Sequence, residues 1–157
     1  MKNDYLNIYN NLIKLTRNKN LYLNLKNNDT FSDRLIILLF HYSFFIKFYK
    51  SQISFDESQN LFDFIIRQIE LSIREIGYGD VSVNKKMKDY VNLFYSILDK
   101  VEKWNILENS EKKATISNLL NIKKDNDFFV EYFDKYRDFL LNNPLKIFTK
   151  DILELKF

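Results

Sequence analysis

The sequence of 157 residues contains no cysteine, one histidine, one proline and two glycines. Without cysteine the chain cannot form a disulfide, a thiolate metal site or a thiol nucleophile, and one histidine is too few for the usual structural zinc site. The scarcity of proline and glycine removes the two residues that most strongly interrupt helices. These absences exclude disulfide-rich and zinc-stabilised scaffolds and leave long helices free to form.

No hydrophobic run in the sequence is long enough to span a membrane. The most apolar stretch, residues 35–46, would form a helix only ~18 Å long, against a hydrocarbon core of ~30 Å. We therefore predict that it is a buried central helix. The polar start of the chain, residues 1–5, has no signal-peptide pattern, so we expect a cytoplasmic protein.

The overall charge is mildly basic, with a formal net charge of +3 and a pI near 8.9. A basic surface would suit an anionic membrane or a ribosome. However, abundant Lys, Asn, Ile, Phe and Tyr with scarce Gly, Pro and Ala are also typical of an AT-rich genome. Only the local placement of charge is therefore informative about partners.

The hydrophobic pattern is helical throughout. Apolar residues recur at spacings of three and four, and no alternating segment of convincing length indicates a strand. The pattern predicts an all-α, single-domain bundle over residues 1–157, with six to eight helices around a central apolar helix at about 33–49. Capping boxes that begin at Thr30 and Ser54 mark two helix starts. Three further helices are predicted at residues 4–16, 83–107 and 111–122, with Asn109-Ser110 as the break between the last two. A final helix is capped by Asp125 or Asn126 and ends at Asn142-Asn143-Pro144.

Both glycines lie within residues 74–80, which predicts one unusual backbone turn. We interpret Gly77 as the residue that stops the preceding helix, whose apolar stripe runs to Ile76. Asp80 or Ser82 would then cap the next helix. The first turn of that helix is predicted to carry three lysines: Lys85, Lys86 and Lys88.

Two interpretations of this turn remain open. Any helical bundle of this geometry needs such a turn, whatever its function. Alternatively, the turn shapes a contact surface, because cations in a first turn oppose the helix dipole and do not help folding. Together with free backbone amides they would attract an anion, so residues 77–88 are predicted to contact an anionic partner.

Four charged residues of alternating sign share one face of the helix before the turn: Asp63, Arg67, Glu70 and Arg74. They are either a solvated face whose members pair with one another, or a face whose arginines contact carboxylates or phosphates of a partner.

Motifs for catalysis are missing. Gly77 and Gly79 lack the third glycine and the preceding strand of a dinucleotide-binding loop, and no Gly-Lys-Ser/Thr phosphate loop is present. His41 has no evident nucleophile partner, and its position among apolar residues predicts a buried neutral histidine. We therefore expect a protein that is not an enzyme and that binds no cofactor or metal.

Taken together, these residues resemble the ubiquinol-cytochrome c chaperone family, the complex III assembly factors of mitochondria and alphaproteobacteria. The residues that carry the resemblance are Leu61-Phe62-Asp63, Arg67, Glu70, Ser72, Arg74-Glu75, Gly77, Gly79-Asp80, Ser82-Val83 and Met87-Lys88, with Arg17, Tyr22, Asp29-Thr30, Asp33-Arg34 and His41 before them and Phe94-Tyr95 after them. Where the family usually continues with Gly-Arg after its Phe-Tyr pair, this chain has Ser96-Ile97.

The resemblance implies a soluble helical chaperone that holds newly made cytochrome b during assembly of complex III, ubiquinol-cytochrome c reductase. It also suggests three further partners: the ribosome near the tunnel exit, an anionic membrane surface and a second assembly factor. It does not suggest DNA as a partner. Since the domain begins almost at Met1, we expect a bacterial member at the cytoplasmic face of the inner membrane, or the matrix side if the source is eukaryotic. An aromatic content of 17% predicts an exposed apolar patch that could bind a hydrophobic client protein.

An alternative function is a basic helical adaptor that binds the ribosome or RNA without handling the client. Its support is three lysine pairs: Lys85-Lys86, Lys112-Lys113 and Lys123-Lys124. For His41, haem ligation is a further alternative because cytochrome b carries haem.

The candidate residues form two sets. The predicted partner-binding set is Arg67, Arg74, Glu75, Gly77, Tyr78, Gly79, Asp80, Lys85, Lys86 and Lys88. The predicted structural set is Asp33, Arg34, His41, Phe62, Asp63 and Tyr95, in which Asp33 and Arg34 order the entrance of the central helix.

Overall fold

The computed structural model describes residues 4–26, 30–123 and 127–150, and these form seven α-helices. The helices are α1 (Tyr5–Thr16), α2 (Lys19–Tyr22), α3 (Phe31–Tyr49), α4 (Phe55–Glu75), α5 (Asp80–Glu102), α6 (Asn109–Ser117) and α7 (Phe128–Asn142). Short 3-10 segments lie at Lys50–Gln52, Trp104–Ile106 and Leu145–Thr149. Within the described ranges the only β-type pairing is one isolated bridge between Leu25 and Ile122, so the all-α prediction is confirmed.

Helix α3 lies at the centre of the bundle. Every residue from Leu35 to Phe45 is buried, and the helix contacts α1, α5 and α7. A helix that is apolar on all sides is stable only when other elements cover it on all sides. The predicted central apolar helix is confirmed.

The two predicted capping residues begin their helices. The Thr30 hydroxyl accepts a hydrogen bond from the Asp33 amide at 3.1 Å, and the Ser54 hydroxyl accepts one from the Glu57 amide at 3.2 Å. Each bond satisfies an amide that has no partner within the helix. These bonds fix the first residues of α3 and α4.

Aromatic rings fill the contact between α3 and the C-terminal half of the chain. The ring of Phe44 stacks on Phe133 with centroids 5.3 Å apart and meets the edge of Trp104 at 5.2 Å. All three side chains are fully buried. Aromatic pairs of this kind contribute about 0.5–1.5 kcal/mol each beyond the area they bury.

Four predicted helix boundaries, the starts and ends of α5 and α6, are wrong. Helix α5 spans Asp80–Glu102 rather than residues 83–107, and Asn109 and Ser110, predicted to break a helix, are the first residues of α6. Asparagine and serine are favoured both in loops and at helix starts, so these residues did not distinguish the two. Helix α6 also ends at Ser117 instead of residue 122.

The last helix ends as predicted. Helix α7 stops at Asn142, and Pro144 precedes a 3-10 segment whose Phe148 is buried. The two predicted caps of this helix, residues 125 and 126, lie outside the described residues, and Asp127 occupies the N-cap position. In the described part of the chain, no helix combines the length and apolar character needed to cross a bilayer.

Candidate functional site

The turn between α4 and α5 is built around Gly77. Helix α4 ends at Glu75, and Gly77 follows with φ of +106°, a conformation that favours glycine. Its amide donates a hydrogen bond to the Arg74 carbonyl at 3.0 Å. The prediction that Gly77 stops the helix is confirmed.

The turn is open to solvent. A Cβ atom placed on Gly77 or Gly79 would meet no other atom within 4 Å, and residues 75–82 are all exposed. Ile76, predicted to complete the buried stripe of α4, is 51% exposed because it lies one residue beyond the last helical turn. We call the solvent-facing side chains between Ile76 and Lys88 the turn surface.

The prediction that Asp80 or Ser82 caps α5 is wrong. Gly79 occupies the N-cap position with extended backbone, its carbonyl accepts a bond from the Val83 amide at 2.9 Å, and Asp80 is the first helical residue. The Asp80 carboxylate instead accepts a hydrogen bond from the Arg74 guanidinium. An acid in this first turn also stabilises the positive end of the helix.

The three lysines lie further along α5 than predicted. Since the helix begins at Asp80, Lys85, Lys86 and Lys88 fall in its second and third turns, where the dipole has little effect. The predicted opposition to the dipole is therefore wrong. The observation that replaces it is that Lys85 and Lys88 are exposed and form no ion pair within residues 4–26, 30–123 and 127–150.

Apolar side chains flank these cations. Tyr78, in the four-residue link between α4 and α5, is 42% exposed, and Val81, in the first turn of α5, is 86% exposed. The Lys86 ammonium lies over the Tyr78 ring, 4.5 Å from its centroid. This cation–π contact holds the Tyr78 ring against α5.

The charged face of α4 pairs largely with itself. Glu70 accepts hydrogen bonds from Arg67 at 2.9 Å and from Arg74 at 3.2 Å, and these two bonds lower the pKa of Glu70. The bond from Arg74 to Asp80 raises the pKa of the guanidinium and joins α4 to α5. Asp63 accepts a hydrogen bond from Gln59 at 3.1 Å instead of pairing with an arginine.

Two other predicted residues join the same helices by ring contacts. The Phe62 ring of α4 lies 5.7 Å from Phe94 and 6.0 Å from Tyr95 of α5. Phe62 and Phe94 are at least partly covered, whereas Tyr95 is exposed. They support the angle at which α5 leaves the turn.

His41 is fully buried and hydrogen bonded at both ring nitrogens. Its Nδ1–H donates to the Ile37 carbonyl at 2.9 Å, and Nε2 accepts from the Tyr132 hydroxyl at 2.6 Å. Burial lowers the pKa of His41 to about 3, with the bond to Ile37 acting in the opposite direction. The ring is therefore neutral, and with Nε2 occupied by Tyr132 it has no lone pair free for a haem iron.

Asp33 and Arg34 lie in the first turn of α3, as predicted. The Asp33 amide completes the Thr30 cap, and Arg34 is exposed at the edge of a cavity of about 610 Å³. Helices α1 to α4 surround this cavity.

Sequence reasoning missed this cavity and also a buried ion pair. The Lys112 ammonium, on a side chain only 8% exposed, lies 3.0 Å from an Asp134 oxygen that also accepts from the Trp104 indole at 2.9 Å. The contacts join residues 22 and 30 positions apart, so no local spacing could indicate them. Among the described residues, no group of His, Asp or Glu could hold a metal ion.

Comparison with known proteins identifies a family. The family model described as Ubiquinol-cytochrome C chaperone matches residues 23–105, more than half of the chain. No curated protein and no solved structure matches. The matched segment contains α3, α4, the turn surface and α5. The chain therefore belongs to the ubiquinol-cytochrome C chaperone family, which implies a role in the assembly of complex III.

Proposed function

We propose that this protein is a non-enzymatic chaperone that binds newly made cytochrome b and assists the assembly of ubiquinol-cytochrome c reductase at the membrane. The observation that carries the proposal is the turn surface. There, lysines without an ion pair among the described residues lie beside exposed apolar side chains, within the segment that matches the family.

This combination suits a membrane protein that has not yet been assembled. The ends of a membrane-spanning segment present apolar side chains next to acidic loops or lipid phosphates. Val81 and Tyr78 supply apolar contact, while Lys85 and Lys88 attract negative charge over a distance of about a Debye length. A surface this small binds weakly, which allows the client to be released to its partner subunits.

The arginines of the predicted partner-binding set contribute indirectly. Arg74 is held between Glu70 and Asp80, so its main effect is to fix the angle between α4 and α5. Arg67 has one acidic neighbour and an exposed side chain, and it remains a predicted contact. Glu75, Gly77 and Gly79 complete the exposed turn.

The setting of the proposal is the cytoplasmic face of a bacterial inner membrane, or the matrix side in a eukaryote. The ribosome near its tunnel exit and a second assembly factor are proposed additional partners. A chaperone that receives cytochrome b as it is made would meet anionic lipid at the same place, and the lysines favour that location.

The test is a charge reversal at the turn surface. In a strain that lacks the gene, Lys85→Glu/Lys86→Glu/Lys88→Glu is expected to restore b-type haem poorly in the reduced-minus-oxidised spectrum of the membranes. Capture of newly translated cytochrome b by the purified variant should fall at least tenfold.

A matched control separates the site from net charge. Lys100→Glu/Lys135→Glu/Lys146→Glu makes the same change in charge at exposed lysines outside the turn surface, at the far end of α5, on α7 and on the last 3-10 segment, and it should retain capture and haem. Equal loss in both variants, or no loss in the first, would contradict the proposal.

The adaptor alternative has lost part of its support. Lys112 is buried against Asp134, and Lys113 lies 2.9 Å from Asp127, so this lysine pair is not available to RNA. A salt titration distinguishes the two functions. The affinity of an RNA binder falls steeply as salt rises, whereas the affinity for a client held partly by apolar contacts falls less steeply.

A further inference from the structure

The cavity between α1, α2, α3 and α4 is a second site, separate from the turn surface. Its volume of about 610 Å³ lies within the range of small-molecule pockets, roughly 300–1,000 Å³. Helix α4 borders it through Ile69 and Ser72, just before the turn begins.

The walls of the cavity are mostly apolar. They are formed chiefly by Ile13 of α1, Phe31, Leu35 and Leu38 of α3, and Ile69 of α4. Ile13 and Phe31 are half-buried and supply the accessible part of this wall, and Leu35, Leu38 and Ile69 are buried behind it. An alkyl chain would replace water against these accessible side chains.

The rim of the cavity is cationic. Arg17, Lys19 and Arg34 are exposed at its mouth, and none of the described lining residues is acidic. Burial raises the pKa of Tyr9, a lining residue, and the charge of Glu75 adds to that rise, whereas Ser72 and Arg17 oppose it. Arg17 and Lys19 form no ion pair within the described residues, so their charges are available at this rim.

We propose that this cavity binds an amphiphilic anion, a molecule with an alkyl chain and a single phosphate or carboxylate head. The chain would lie along the apolar wall, and the head would contact the rim, where the Arg17 guanidinium can bind two oxygens of the head group and the Lys19 ammonium adds a second positive charge. The ligand is either an anionic membrane lipid or a free amphiphile. This binding goes beyond the chaperone function and does not depend on it.

The first experiment is calorimetric titration of the whole protein with monomeric decyl phosphate. We expect saturable binding of one molecule per chain, with affinity at least tenfold above that of inorganic phosphate or decanol. Across octyl, nonyl and decyl phosphate, affinity should rise about threefold to fourfold per added methylene. Weak binding that does not saturate, or that ignores chain length, would overturn the proposal.

Variants at the rim and wall locate the site. Arg17→Glu/Lys19→Glu should lower the affinity for decyl phosphate at least tenfold, and Ile13→Trp should block the cavity. The rim variant changes only exposed residues, so it remains informative if Ile13→Trp does not fold.

The matched control is Lys85→Glu/Lys88→Glu, which makes the same change in charge at the turn surface. It should bind decyl phosphate normally while failing to capture cytochrome b, and the rim variant should show the reverse. If both variants bound decyl phosphate equally weakly, the protein would attract anions without a specific site, and the proposal would be overturned.

The source of the ligand is resolved by vesicles of phosphatidylglycerol. Retention of one phospholipid per chain after separation from vesicles, lost in Arg17→Glu/Lys19→Glu, would support a membrane lipid. Binding of decyl phosphate without retained phospholipid would support a free amphiphile. An apolar client peptide that displaces decyl phosphate from the cavity would contradict an amphiphile site.

Discussion

The buried ring of His41 makes stability depend on pH. In the folded state burial lowers its pKa to about 3, whereas the ordinary value is 6.5. The unfolded chain therefore binds one more proton than the folded chain between these two pH values, and stability rises with pH across that window. The contribution is fully present above pH 6.5 and is lost as pH falls toward 3.

We predict that acidification from pH 7 to 5 lowers the free energy of unfolding with a slope that approaches about 1.4 kcal/mol per pH unit. Urea denaturation at successive pH values measures this slope. Because the chain has one histidine, His41→Gln should remove most of the slope above pH 5, where few carboxylates titrate. A slope that persists in this variant would show that another group is responsible.

The Asp134 carboxylate compensates a buried cation. It accepts hydrogen bonds from Lys112 and Trp104 and lies 3.5 Å from Arg137. We predict that Asp134→Ala destabilises the protein by about 3–5 kcal/mol, since Lys112 would remain buried without its partner. The fluorescence of Trp104, the single tryptophan, reports both unfolding and the lost indole bond. Lys112→Met/Asp134→Leu is the control, and it should be markedly more stable than Asp134→Ala.

At the residue scale, local spacing predicted burial but not partners. The burial of His41 follows from Ile37 and Phe45, its apolar neighbours one turn away on α3. Its partner Tyr132 lies 91 residues further along the chain, and only the packing of α7 on α3 brings them together. The Lys112 ammonium is a similar case, because a lysine on a polar stretch gives no local sign of burial.

At the scale of elements, the two glycines of the turn have different requirements. Gly77 has a positive φ that strains any side chain, whereas Gly79 has φ of −73° and ψ of 165°, which alanine adopts readily. A methyl group added at either position would have open space around it to a distance of 4 Å, so backbone conformation alone decides the outcome.

We predict that Gly77→Ala lowers the free energy of unfolding by about 1–2 kcal/mol. Gly79→Ala serves as the control and should change the free energy of unfolding by less than about 1 kcal/mol, because the reduced freedom of the unfolded chain is offset by the poorer N-cap that alanine makes. Thermal and urea unfolding of both variants measure the difference. Equal effects at the two positions would contradict the conformation described for Gly77.

Element boundaries were less predictable than the elements themselves. The positive φ of Gly77 could be inferred because glycine is rare in this chain, but the start of α5 could not. Asp80 is a good N-cap residue in general. Here its carboxylate accepts a hydrogen bond from Arg74 on α4, and Gly79 occupies the N-cap position without a side chain. A contact between two helices thus decided a position that local preference left open.

For the whole molecule, the segment that matches the family and the hydrophobic core do not coincide. The match covers residues 23–105, yet α3 in its middle is also covered by α1 and by α7 from outside that segment. Phe44 of α3, for example, stacks on Phe133 of α7. The central helix could be predicted from composition, whereas the helices that pack on it could not. An apolar stripe shows that a helix is buried on one face but does not indicate which helix covers that face.

We predict that residues 23–105 alone do not fold cooperatively, because the fragment exposes the faces of α3 that α1 and α7 cover. Its near-UV circular dichroism should be weak, and its thermal unfolding should show no sharp transition, in contrast to the full chain. Phe133→Ala in the full chain provides an intermediate case and should cost about 3–5 kcal/mol while keeping a cooperative transition. A fragment that unfolds as sharply as the full chain would show that the matched segment is a domain by itself, and would contradict the prediction of one domain over residues 1–157.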